Sequence, residues 1–164
     1  MFLLIRWLIF LGALALVFYF SKYEFKAEGY PTKSLDGRCL YWPSSVPGIL
    51  KQFDDAGQLP QYYKQETTTD LLFPMIYGLA FMTAILGLIP GVGAPRWLVV
   101  FPVLTVLADY CENATVIAML KRYPNSLGFL PNIASIASGT KGICLLGSTL
   151  AVIGLAIAWL VKRF

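Results

Sequence analysis

Histidine is missing from all 164 positions. That removes the commonest general base near neutral pH and the commonest zinc and haem ligand. Cysteine is scarce: Cys39, Cys111 and Cys144 form no CxxC pair. Cys111 and Cys144 stand in apolar stretches, where free cysteine behaves as a small hydrophobe. A disulfide framework and thiol redox catalysis are therefore disfavoured. Charge is scarce too, with Asp, Glu, Lys and Arg at 13% of the chain, against roughly 25% in an ordinary soluble domain. The formal net charge is +4, which suits a neighbour of anionic lipid. No clustered basic stripe is present, so nucleic acid is not an expected partner. Phosphate-cradling glycine loops, nucleophile motifs and metal-type ligand spacings are also absent from the sequence. No cofactor and no metal centre are expected, although a carboxylate-bound Mg²⁺ stays open.

What is present is apolar: 57% of the residues are hydrophobic and the mean hydropathy is +0.66. Four long apolar stretches stand out, at about 2–20, 67–89, 97–120 and 131–161. The first reaches about 28 Å as a helix, close to the ~30 Å hydrocarbon core. Ala13-Leu14-Ala15 resembles a signal-peptide cleavage site, but the basic lead-in is nearly absent. The apolar run also continues through Val17, Phe18, Tyr19 and Phe20, which favours an uncleaved anchor. The last stretch is long for one crossing and must tilt, bend or protrude. The expected fold class is an all-α membrane protein: a multi-pass, four-transmembrane-helix bundle forming a single membrane domain over 1–164.

Residues 21–66 differ from the rest. They hold six basic and six acidic residues, and prolines at 31, 43, 47 and 60. This segment reads as a partly helical extramembrane connection between helices 1 and 2. Val46, Ile49, Leu50 and Phe53 recur at helical spacing, with Pro47 early and Gly57 as a stop. Such an amphipathic helix would lie on the bilayer surface or cap the bundle. Tyr41, Trp42, Tyr62 and Tyr63 suit the headgroup belt. Thr67 and Asp70 fit a capping box opening the second crossing, and residues 90–95 (PGVGAP) read as a tight turn. Gly147, Ala151, Gly154 and Ala158 share one face in a small-xxx-small pattern. That face either packs within its own bundle or forms the contact of a homodimer or membrane-complex partner.

The third stretch carries Asp109, Glu112 and Asn113 at i, i+3 and i+4, on one helix face. Counting from either end places Asp109 roughly 16–18 Å deep. A carboxylate in hydrocarbon costs about 2.5–3.5 kcal/mol on insertion scales. Two on one face therefore need a proton, a cation or a water-filled cavity. Lys141 is the basic residue well inside the fourth stretch and is expected to contact Asp109 or Glu112. Asp70 is a further candidate. Pro74 lies four residues on and has no N–H, which strips the Asp70 carbonyl of its helical donor. The candidate ligand-binding residues are thus Asp70, Asp109, Glu112, Asn113 and Lys141, with no catalytic residue assigned.

At these residues, Asp70-Leu71-Leu72-Phe73-Pro74 and Asp109-Tyr110-Cys111-Glu112-Asn113, the chain resembles a group of uncharacterised bacterial four-helix membrane proteins. These share an anchor helix, an extramembrane segment, an Asp-to-Pro helix start and a D-x-x-E-N helix. The resemblance implies a lysine where Lys141 stands and a bacterial inner membrane location, and it implies no reaction. Three functions compete: an intramembrane site for a proton, cation or polar lipid headgroup; a lipid- or isoprenoid-modifying enzyme using paired carboxyls; and an accessory or assembly subunit of a membrane complex.

Overall fold

The computed structural model describes residues 30–38 and 40–163, together with Gly12 and Ala15. Apart from those two positions, the expected first crossing at 2–20 lies outside the described residues, as does Cys39. Among the described residues every regular element is helical. Two short helices, α1 (Val46–Asp55) and α2 (Leu59–Glu66), precede three long ones, α3 (Thr69–Val92), α4 (Val100–Arg122) and α5 (Leu130–Val161). Three helical stretches, containing α3, α4 and α5, are long and apolar enough to cross a membrane.

The long helices are inside out relative to a soluble bundle. Met75, Leu107, Ile136, Ile143, Leu146 and Leu150 point outward, Ile143 at 73% exposure, while Thr105, Asp109, Glu112, Asn113, Ser138 and Ser148 are buried. Water would penalise the outer surface, and hydrocarbon would penalise the inner residues if they were turned around. A lipid exterior with polar partners inside would satisfy both faces.

Sequence chemistry explains the joints. Gly57 adopts φ +66°, and its N–H and that of Gln58 close back on Asp54 and Phe53 carbonyls at 2.8 Å each, ending α1. The capping box does not form. The Thr67 hydroxyl instead donates back to the Tyr63 carbonyl at 2.8 Å and that of Thr68 to Lys64 at 2.7 Å, so both satisfy the end of α2. Residues 90–95 do not turn at once either: α3 continues through Pro90 to Val92 and stops at Gly93, φ +76°. Gly93 supplies the left-handed residue that closes a helix.

The amphipathic helix α1 caps the bundle. Val46, Ile49, Leu50 and Phe53 share one core with Leu35, Tyr41 and Tyr62, and with Val116, Met119, Leu127 and Ala134 from the bundle. Tyr41 and Tyr62, expected among lipid headgroups, are buried, whereas Trp42 is 78% exposed. Each buried tyrosine has a partner for its hydroxyl, the condition for burying a phenol. The cap also explains the length of α5. Its 32 residues span about 48 Å, well beyond a ~30 Å core. Its first turns stand inside the cap, where Ser135 and Ser138 donate to the Tyr41 and Arg38 carbonyls at 2.6 and 3.2 Å. At the far end Leu155 packs with Ile85, Leu88 and Ile89.

The small-residue face of α5 is divided. A methyl on Gly147 would fall 2.6 Å from Phe101 of α4, so that glycine permits packing within the chain. A methyl on Gly154 would meet nothing within 4 Å.

Candidate functional site

The site forms where α3, α4 and α5 meet beneath the cap. Gly78 brings α3 onto α4, since a methyl there would overlap the Val106 side chain. Two turns away, the two Asp-containing motifs interlock. The Asp70 carbonyl, denied its helical donor by Pro74, accepts from Asn113 Nδ2 at 2.7 Å. The Asp-to-Pro start and the D-x-x-E-N helix are thus two halves of one joint. Tyr110 adds a second tie, donating to the Leu71 carbonyl at 2.8 Å.

Lys141 of α5 contacts both acids of α4. Its Nζ lies 2.6 Å from Glu112 Oε2 and 3.1 Å from Asp109 Oδ1. Its ammonium group also reaches the Asp36 carbonyl at 3.4 Å. The remaining oxygens take tyrosine hydroxyls: Tyr77 donates to Asp109 Oδ2 at 2.6 Å, and Tyr41 from the cap to Glu112 Oε1 at 3.2 Å. Burial, then the Glu112 carboxylate, push the Tyr41 hydroxyl well above the ordinary phenol value, so it stays a donor. The acids therefore lie at the cap–bundle junction, with the last turns of α4 packed in the cap through Val116 and Met119.

Beside this ion pair the fold assembles a second acidic group that sequence spacing did not single out. Asp36 of the cap segment, Glu66 ending α2 and Asp70 opening α3 each place one carboxylate oxygen within 4.8 Å of the others. Two unit charges at 4.8 Å repel by on the order of 3 kcal/mol at an effective dielectric near 20. Glu66 is fully buried, and no donor reaches either of its oxygens. Tyr62 places its hydroxyl 3.4 Å from Asp36 Oδ1 while accepting from the Leu35 amide at 3.0 Å.

Two cavities meet here. The larger, about 450 Å³, is lined by the charged residues Asp36, Arg38, Asp109 and Lys141 and by Phe73, Tyr77, Phe81 and Leu145, with Ser138 and Thr149 among the rest. The smaller, about 80 Å³, is bounded by Asp36, Asp70, Asp109, Asn113 and Lys141 among others. Arg38 is held at the rim by the Lys33 carbonyl, 2.8 Å from Nη2, and the Thr32 hydroxyl at 3.0 Å.

All five expected residues, Asp70, Asp109, Glu112, Asn113 and Lys141, come together. Sequence reasoning missed Asp36, Glu66, Tyr41 and Tyr77. Glu66 precedes Asp70 by four positions and Tyr77 follows it by seven, a helical stripe that would have flagged both. Asp36 carries no such signal, because it arrives from an irregular segment. No family model matches this chain, and neither a curated protein nor a solved structure does.

Proposed function

We propose that the chain is a four-crossing membrane protein, with residues 2–20 as the first crossing, that binds the polar head of a membrane lipid beneath its cap. The observation that carries this reading is the mixed lining of the 450 Å³ cavity. Lys141, in contact with Asp109 and with the Asp36 backbone, brings both signs of charge to it together with Arg38, and Phe73, Phe81 and Leu145 supply apolar lining. An amphiphile matches that mixture: polar groups fix orientation in such pockets while apolar contact supplies area. The resemblance noted above adds a bacterial inner membrane as the setting. A homodimer through Gly147, Ala151, Gly154 and Ala158 is less well supported, because Phe101 already covers Gly147.

Native mass spectrometry of the purified full chain tests the reading. The wild type should carry a lipid adduct. Leu145→Trp, which crowds the apolar lining, and Asp109→Asn, which removes a charge from the polar lining, should each lose that adduct while keeping a monodisperse elution profile. A wild-type protein with no lipid mass, or an adduct unchanged in both folded variants, would reduce the ion pairs to fixing helix register and refute the proposal.

A further inference from the structure

Glu66 presents a different problem from the Lys141 pair: it is fully buried beside Asp36 and Asp70, and among the described residues no lysine or arginine forms an ion pair with it. Asn113 provides an independent sign of what is needed there. Its Nδ2 is committed to the Asp70 carbonyl at 2.7 Å, which fixes the orientation of the amide. The side-chain oxygen, on a residue only 1% exposed, is consequently buried with no donor. Asn113 borders the small cavity together with Asp36 and Asp70. Two buried acceptors without a donor thus stand beside the same pair of acids: Glu66 groups with Asp36 and Asp70, and Asn113 borders the small cavity with them. A proton on Glu66 would supply one donor and could not serve both. A bound cation could.

We propose that Asp36, Glu66 and Asp70, with Asn113 beside them, hold a hard divalent cation of the Mg²⁺ or Mn²⁺ class at the cap–bundle junction. The available ligands are all oxygen, carboxylates and an amide carbonyl, which suits Mg²⁺, Mn²⁺ or Ca²⁺ rather than zinc or copper. Three carboxylates exceed a +2 charge, so the ion removes most of the mutual repulsion. The adjoining 80 Å³ is several times the roughly 10–15 Å³ that one water needs, leaving room for the waters that Mg²⁺ tends to keep. The ion would join three separate parts of the chain: the cap segment through Asp36, the end of α2 through Glu66 and the start of α3 through Asp70. This site shares Asp36 with the lipid cavity, but it does not rest on the lipid-head reading, because metal binding is read without any lipid.

The test uses the full chain in detergent, stripped of metal with a chelator, and Mn²⁺ as the probe, with free Mn²⁺ read by electron paramagnetic resonance. Saturable binding of one Mn²⁺ per chain, displaced by Mg²⁺, is expected. Even outer-shell changes at metal sites cost roughly 10–100-fold in affinity, so Glu66→Gln should weaken binding at least tenfold. Asp36→Asn, at a partly exposed position, should do the same and guards against misfolding of the buried variant. Asp55→Asn, which alters only an exposed acid paired with Lys51, should bind as the wild type does. Absence of saturable binding in the wild type overturns the proposal. So does binding that survives both Glu66→Gln and Asp36→Asn, or binding lost in Asp55→Asn.

Discussion

Asn113→Leu tests the joint between the two motifs. Leucine keeps much of the volume and removes the amide that serves the Asp70 carbonyl. That carbonyl cannot revert to a helical bond, because residue 74 is proline. Leaving a buried acceptor without a donor costs about 1–3 kcal/mol, which is roughly 5- to 150-fold in the folding equilibrium. The relief of the donorless Asn113 oxygen offsets part of this, so the lower half of the range is expected. Pro74→Ala then provides a specific rescue. It restores an N–H four residues after Asp70, where the helix needs it, and should recover most of the loss. Unfolding in detergent, followed by circular dichroism for all four proteins of the cycle, isolates the coupling from the packing that Pro74 itself contributes. If Asn113→Leu is as harmful in the Pro74→Ala background as in the wild type, the carbonyl is not what Asn113 is there to serve.

Lys141→Met should destabilise by about 3–5 kcal/mol, the usual cost of stranding one side of a buried ion pair. Adding Glu112→Gln should cost less than it does alone, and additivity in that cycle would argue against the pairing. Tyr30 gives a pH dependence. Burial and the Asp36 carboxylate raise its hydroxyl from 10.0 to about 12, and it donates to Gln65 Oε1 at 2.8 Å. The protonated form is the one the fold favours. Its contribution is therefore complete below the unfolded value of 10.0 and is lost as pH rises through about 12. Unfolding midpoints measured across that window should fall less steeply for Tyr30→Phe than for the wild type.

Hydropathy and spacing were good guides to the long helices because both are local properties. Apolar stretches at 67–89, 97–120 and 131–161 correspond to α3, α4 and α5, with ends shifted by a few residues where Pro90 is tolerated and where Arg96–Val99 forms a 3₁₀ turn. Lys141 was legible as a partner for Asp109 and Glu112 because few other cations lie within reach of them. The cap was harder. Periodicity placed Val46, Ile49, Leu50 and Phe53 on one face, but not the surface that face covers. Tyr41 looked like an interfacial residue because its partner, Glu112, lies 71 positions away. Asp36 escaped notice for the same reason, since its proximity to Asp70 is made by the tertiary fold, whereas Glu66, only four positions before Asp70, was passed over because a charged residue in a water-side segment normally needs no partner.

The interleaving of cap and bundle also constrains the order of biogenesis. Residues 30–66 leave the ribosome well before α5 does, yet Ala134, Ser135 and Ser138 of α5 complete their core and their hydrogen bonds. During synthesis the core over the apolar face of α1 is therefore complete only once the last helix has been made. A chain interrupted after α4 would keep the Val116 and Met119 side of this core and lack Leu127 and Ala134, so the cover over α1 would be incomplete.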